Sequence, residues 1–428
     1  MKTVIQYIGL TIKYDTIFKW GKLFTIVGLS QSIVQGIGLI SGIFIIRFLP
    51  TEEYAVYTLA NTMLGTMTIL ADGGISSGIM SQGGKVWIDY KKLGVVLSTG
   101  IHLKSQFAIG SVIISIPILL FMLRHHNINW PMTLLIVGSI LPAFFANLSN
   151  SILQTVFKLH QDIALLQRNQ IIVNIIRFFV LISTVFVFPW AFVALFSSGL
   201  PQIWANVNLR KSLSKYVDTK QPPSNQVKQE VLKVVKRILP GSIYYCFSSQ
   251  ISVWLISLVG NMSMIATIGG LSRLAMVLTL FSTLFNTLIV PRFSRLNGDK
   301  GLILFRYLQI ICLLFLICMA IVIFIYFFST DVLWILGNNY KNLNNEVVIS
   351  SIGACLSLVA GIAFSLCTSR GWTLNPILSI SIEILAIVIG VTIFDISSII
   401  GILIFNIFVA GIQVSMYVIY SIVKIAKI

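Results

Sequence analysis

About a dozen apolar runs, each roughly 20 residues long and parted by short loops, fill nearly all 428 residues of this chain. A helical run of about 18 or more apolar residues spans the roughly 30 Å hydrocarbon core of a bilayer. No soluble fold can hide a dozen of them. Hydrophobic residues make up 57% of the chain and charged residues 10%, against about 25% charged in a soluble domain. Backbone groups in lipid must be satisfied within the segment, which leaves helices or a closed barrel. Barrel strands read as alternating segments of about ten residues. These runs are longer and apolar on every side, so the fold class is all-α integral membrane.

The net charge of +17 would suggest nucleic acid in a soluble protein. Here the distribution decides. With a cytoplasmic N-terminus, the loops after even-numbered spans are cytoplasmic. Every Lys and Arg except Arg47, Arg124, Arg273 and Lys341 then lies on that side or its adjoining helix ends. This positive-inside pattern places both termini in the cytoplasm and removes nucleic acid as a partner. Attraction to anionic lipid headgroups is a secondary consequence.

The expected spans run 22–48, 54–79, 95–123, 132–156, 163–187 and 190–208, then 238–260, 265–290, 302–328, 347–369, 375–394 and 397–422. A polar stretch at 210–237 parts them six and six. It carries eight basic residues against Asp218 and Glu230, and its Gln-Pro-Pro-Ser core at 221–224 resists helix formation. The expectation is an N-terminal lobe (1–209), a cytoplasmic linker (210–237) and a C-terminal lobe (238–428). Six is even, so the lobes are parallel repeats about an axis along the membrane normal. The longest loop on the other face, 329–346, carries Trp334 as an interface anchor. Neither face has room for a catalytic domain.

The cysteines (Cys246, Cys312, Cys318, Cys355, Cys367) fall in apolar runs, are odd in number and lack CxxC spacing, so neither a disulfide framework nor a zinc site is expected. His125 and His126 are adjacent in a loop, and the histidines show no metal-ligand spacing. The first 20 residues are a lead-in rather than a signal peptide, because lysines interrupt a short apolar stretch.

An ionisable side chain at the centre of a span costs about 2.5–3.5 kcal/mol or more, so each needs a reason. Asp72, Lys104, Arg177, Arg273 and Glu383 fall inside spans. Arg47 and Arg306 lie near span ends, where long basic side chains snorkel to the interface. Asp72 and Lys104 can pair to hold spans two and three together. Arg177 and Arg273 have no partner nearby in sequence and are candidates to line a cavity. Glu383 stands alone in an apolar helix, either as a protonated structural acid or as a proton-coupling site. Cations outnumber acids within the spans, and Arg and Lys suit phosphate or diphosphate.

Gly38 and Gly42 lie four apart in span one, and Gly74 and Gly78 likewise in span two. Such pairs permit close helix packing, and they also permit bending during a conformational cycle. Trp254 sits deep in a span and either packs or stacks on a sugar. No Walker A sequence and no TVGYG filter is present. Asn147-Leu-Ser and Asn261-Met-Ser fit a glycosylation acceptor pattern that is common by chance.

Twelve spans, two six-helix lobes and a basic central loop resemble the polysaccharide-specific transporters of the MOP exporter superfamily, the Wzx-type flippases. Local sequence agrees. FLPTEEYAVYTLA (Phe48–Ala60) is similar to the family's first outer turn, and ILADGGISSGIM (Ile69–Met80) to the Gly-containing stretch ending span two. IVPRFSRL (Ile289–Leu296) is similar to the segment closing span eight, and WILGNNYKN (Trp334–Asn342) to the Gly-x-x-Tyr segment of the fifth outer loop. GNMSMIATIGGLSRLA departs from the pattern by lacking an acidic Gly-Tyr turn between spans seven and eight.

The resemblance implies a MATE-like fold. It also implies movement of an undecaprenyl-diphosphate-linked sugar repeat unit, of O-antigen or capsule type, across the bacterial inner membrane by alternating access. A polysaccharide polymerase and a chain-length regulator are the implied protein partners, and no cofactor or metal is implied. From charge and depth, Lys104, Arg177 and Arg273 are candidates for the anionic headgroup, with Arg47 a weaker one. Asp72 or Glu383 would couple a proton or sodium ion. The rival readings are an ion-coupled small-molecule antiporter on the same fold and a membrane polysaccharide polymerase or ligase. The first wants a carboxylate-rich cavity, and the second wants a large outer loop with Arg or His clusters that this sequence lacks.

Overall fold

The computed structural model describes residues 28–160, 162–290, 293, 300–370, 372 and 374–427. The N-terminal lead-in and most of the Ile289–Leu296 segment lie outside them. Among the described residues there are helices and no strand. The first half holds α1 (Gly28–Phe48), α2 (Thr51–Asp72), α3 (Ile75–Lys85), α4 (Tyr90–His125), α5 (Trp130–Leu159), α6 (Ile163–Val187) and α7 (Ala191–Leu213). The second holds α8 (Asn225–Ser248), α9 (Ile251–Val259), α10 (Met262–Leu284), α11 (Lys300–Phe327), α12 (Ser329–Leu336), α13 (Asn344–Ser369), α14 (Pro376–Ile393) and α15 (Ile399–Ala426).

Local chemistry sets several of these boundaries. Asp89 accepts from the Lys91 and Lys92 amides at the start of α4, and Asn261 accepts from the Met264 amide at the start of α10. Asp162 and Ser398 cap α6 and α15 in the same way. The interiors need little propensity, because a helix satisfies its own backbone in lipid.

Nine of these helices are each long and apolar enough to cross a membrane, and the pair α8–α9, bent by 48°, makes a tenth. The α2–α3 pair and α7, which the sequence also offers as spans, fall outside that count. They are richer in polar side chains, α2 beginning with Glu52 and Glu53 and α7 ending with Arg210 and Lys211.

Span two is not the continuous helix that the hydropathy suggests. It breaks at Gly73 and Gly74, whose φ values of +46° and +92° are left-handed and suit glycine. The Gly73 amide closes α2 on the Ile69 carbonyl at 2.9 Å.

The polar stretch after α7 is also more ordered than a free linker. Residues 214–224 are non-helical, and they dock on α4. The Tyr90 hydroxyl donates to the Ser214 carbonyl (2.8 Å), and the Ser224 amide donates to Thr99 Oγ1 (2.9 Å). Hydrogen bonds from the Gln221 side chain and the Lys220 amide hold the Asp218 carboxyl below the usual carboxylate range. The first half of α8 then lies on α3, with Val231 against Gly78, Ile238 against Gly74 and Leu239 against Gly73. Pro240 follows inside α8.

The apolar cores give the overall shape. At the end away from the linker, one continuous cluster joins both lobes, from Ile45, Tyr57 and Phe144 to Ile265, Leu336 and Phe405. At the basic end there are two clusters. One joins α3, α4, α5 and α7 with the start of α8, and the other joins α10, α11, α13 and α15. The lobes are therefore fused at one end and parted at the other.

Candidate functional site

Two adjoining cavities meet at the parting between the lobes. The larger, about 1320 Å³, lies between α2 and the inner faces of α8, α10, α13, α14 and α15. The smaller, about 700 Å³, lies between α2, α3, α4 and α5. Ile69 and Ser242 line both, so the two are compartments of one space. The smaller compartment extends to exposed side chains at the basic end, Ser81 and Lys158.

Contacts across the lobes close the opposite end. The Arg47 guanidinium donates to the Trp334 and Ile335 carbonyls at 2.5 and 2.8 Å and stacks over the Trp334 ring at 5.0 Å. It thereby caps the C-terminus of α12, where unpaired carbonyls and the helix dipole attract a cation. Asn339 donates to Thr51 at 3.1 Å. Below them α10 crosses α2 so closely that a Cβ on Gly269 would lie 2.5 Å from Thr58 Oγ1. A side chain at 269 would pry the lobes apart.

Of the residues that the sequence singles out, Arg273 and Glu383 line the larger compartment, and Asp72 and Lys104 line the smaller. Arg273 reaches from α10 towards α1, its Cδ 3.2 Å from where a Gly42 Cβ would be. Its guanidinium carbon lies 5.8 Å from the Tyr57 ring centroid. The Tyr54 hydroxyl faces the same guanidinium yet makes no well-formed hydrogen bond, although the residue is 1% exposed. Arg273 thus brings donors to the cavity wall, and among the described residues no carboxylate lies within salt-bridge reach of it.

Lys104 is different. Its ammonium bonds Asp72 Oδ1 (2.6 Å), Ser76 Oγ (3.0 Å) and Ser151 Oγ. An ammonium has three donors, and all three are taken. The expected pairing of Asp72 with Lys104 is made, and it ties α2, α3, α4 and α5 together rather than offering a free cation.

Arg177 and Arg47 line neither compartment. Arg177, on α6, is partly buried with its Nε unpartnered. Arg47 belongs to the closed end. Gly74 and Gly78 meet Ile238 and Val231 of α8, so they serve helix packing at the basic end. Gly42 passes the Arg273 side chain, and Gly38 has open space beside it. Trp254 packs against the shared core.

The cavity also holds polar groups outside the ionisable set. Gln413 Nε2 and the Tyr417 hydroxyl donate to Glu383 at 3.0 and 3.3 Å, and Ser252 donates to Asn406 at 2.5 Å. A signal for them exists in the sequence. Asn406, Gln413 and Tyr417 recur at spacings of seven and four, on one face of an apolar helix. Weighing charges alone passes over them. Among the described residues no group of three or more His, Cys, Asp or Glu is placed to hold a metal ion.

No family model and no curated protein sequence matches the chain. Solved structures do match its fold. The lipid II flippase MurJ in an inward closed conformation shares 16% identity over 93% of this chain and 87% of that one, with a TM-score of 0.72. An inward-facing multidrug resistance MATE family transporter of the MOP superfamily shares 15% identity over 94% and 99%, with a TM-score of 0.69. A MOP superfamily transporter from Pyrococcus furiosus, described by the reverse polarity of its binding pocket, shares 14% over 94% and 96%, with a TM-score of 0.61. With its two helical lobes about a shared cavity, this chain has the fold of the MOP superfamily transporters.

Proposed function

We propose that this protein moves an undecaprenyl-diphosphate-linked oligosaccharide repeat unit, of O-antigen or capsule type, across the bacterial inner membrane by alternating access. The observation that carries the reading is the inter-lobe cavity, which reaches the basic end and is sealed at the other. With the basic end cytoplasmic, this is the state that receives cargo from the cytoplasmic side.

The cavity chemistry supports a glycan headgroup. The larger compartment exceeds the roughly 300–1000 Å³ usual for a drug-sized ligand. Its walls are rich in hydroxyl and amide groups, among them Thr58, Asn61, Ser252, Ser357, Asn406 and Gln413. Such groups pair with sugar hydroxyls. Arg273 supplies charge-assisted donors for the diphosphate. The polyprenyl tail stays in the bilayer while the headgroup crosses. Closure at the basic end, with release of the Arg47 and Asn339 contacts, would expose the headgroup to the other side.

One observation favours an antiporter instead: Glu383 stands in the cavity wall, where it can meet a cationic substrate. Complementation separates the readings. The gene is expressed in a flippase-null bacterium whose repeat unit matches this protein's pathway. We expect wild type and Arg177→Ala to restore surface polysaccharide, and Arg273→Ala to fail at normal membrane levels. Failure of the wild type, inserted and with lipid-linked units accumulating, would turn the assignment towards the antiporter.

A further inference from the structure

We propose that the cavity wall formed by α8, α14 and α15 is a carbohydrate subsite that accepts a neutral or amino hexose and rejects an acidic one, with Glu383 as the selecting group. This rests on the reading of the cavity as the passage for a diphosphate-linked glycan.

Glu383 is 5% exposed, yet it lines the cavity. Both of its oxygens accept hydrogen bonds, Oε2 from Gln413 and Oε1 from Tyr417. Two donors aimed at the two oxygens engage the group as an acceptor. A carboxylate offers about four lone-pair sites, so about two remain for a ligand. Adjacent hydroxyls on a hexose form a matching pair of donors.

The neighbours suit the same ligand. The Tyr244 hydroxyl faces this carboxylate but makes no well-formed hydrogen bond of its own. It is a spare donor and acceptor beside the site. Phe364 and Tyr417 pack edge to face, 5.3 Å between centroids, and both line the cavity. Their faces can cover the C–H side of a sugar ring. No basic side chain lies within salt-bridge reach of Glu383 among the described residues. A ligand therefore meets this carboxyl group with no cation beside it. Like charges brought together across a desolvated contact are strongly unfavourable, whereas an amine or hydroxyl is welcomed. Arg273, on the α10 wall, takes the diphosphate, so phosphate and sugar occupy separate parts of one cavity.

The test uses the full chain in detergent and three short-chain probes followed by tryptophan fluorescence: farnesyl diphosphate, farnesyl-diphosphate-glucose and farnesyl-diphosphate-glucuronate. Wild type should bind the glucose probe about tenfold or more tighter than the glucuronate probe, which corresponds to about 1.4 kcal/mol. Glu383→Gln keeps the shape, removes the charge and should bring the two within about twofold. It should leave farnesyl diphosphate binding unchanged. Tyr244→Phe should weaken the glucose probe about threefold and spare farnesyl diphosphate; it stands as a second readout if Glu383→Gln does not fold. Equal binding of the two sugars by wild type, or a preference that survives Glu383→Gln, overturns the subsite and leaves the transport reading in place. Farnesyl diphosphate that fails to bind, or that binds Arg273→Ala as well as wild type, removes the transport reading and this inference with it.

Discussion

Lys104 and Arg273 are both cations buried in a membrane bundle, and their surroundings give them opposite roles. Lys104 is 2% exposed, and its three donors are satisfied by Asp72, Ser76 and Ser151. Removing one partner of such a pair strands the other. Lys104→Met should therefore destabilise the protein by about 3 kcal/mol. The double variant Asp72→Asn/Lys104→Met, which strands no charge, should recover much of the loss. Thermal unfolding in detergent measures both, and a single variant as stable as the double would contradict the role as a tie. Arg273, by contrast, should tolerate replacement without loss of stability and lose cargo binding. The sequence marks both residues and foresees the Asp72 partnership. It does not foresee that one cation is saturated and the other open, because the deciding hydroxyls, Ser76 and Ser151, come from two other helices.

At the scale of elements, glycine positions set where a helix breaks and where helices pack closely. Gly74 has φ +92° and lies where a Cβ would be 2.8 Å from Ile238 Cβ. Gly74→Ala should cost about 1–2 kcal/mol through backbone strain and loosen α3 from α8. Faster hydrogen exchange across 75–85 and 228–239 would show it, and unchanged exchange would contradict it. The loop after α4 offers a pH test. His126 Nε2 lies 3.5 Å from the Oγ of buried Ser257 on α9, with Arg124 and His125 beside it in the last turn of α4. Burial, with His125 adding to it, pushes the His126 imidazole below its ordinary value of 6.5. The unfolded or undocked loop then binds more protons, so the contact is at full strength above pH 6.5 and weakens as pH falls through the lowered value. Exchange at 124–129, corrected for intrinsic rates, should rise between about pH 7 and 5 in wild type and stay flat in His126→Asn. These elements were only partly legible. Hydropathy finds the spans, but the break at Gly73–Gly74 and the docking of 214–224 on α4 depend on contacts between distant segments.

The whole molecule is two lobes that share a core at one end and part at the other. Its class follows from the sequence, because lipid leaves few ways to satisfy a backbone. The cavity does not, since it is defined by where the lobes fail to touch. The clearest lesson is Arg47, which the sequence reads as a snorkelling span-end residue and a weaker headgroup candidate, and whose position makes it a clasp on α12. The most direct measurement locks that closed end. In a background without native cysteines, Thr51→Cys and Asn339→Cys are joined by a short reducible cross-linker, since the native side chains lie 3.1 Å apart. Transfer of lipid-linked repeat units to the outer leaflet is then followed before and after reduction. Alternating access through the inter-lobe cavity predicts that the bridge stops transfer and that reduction restores it. Transfer that continues at the full rate with the bridge in place would contradict it.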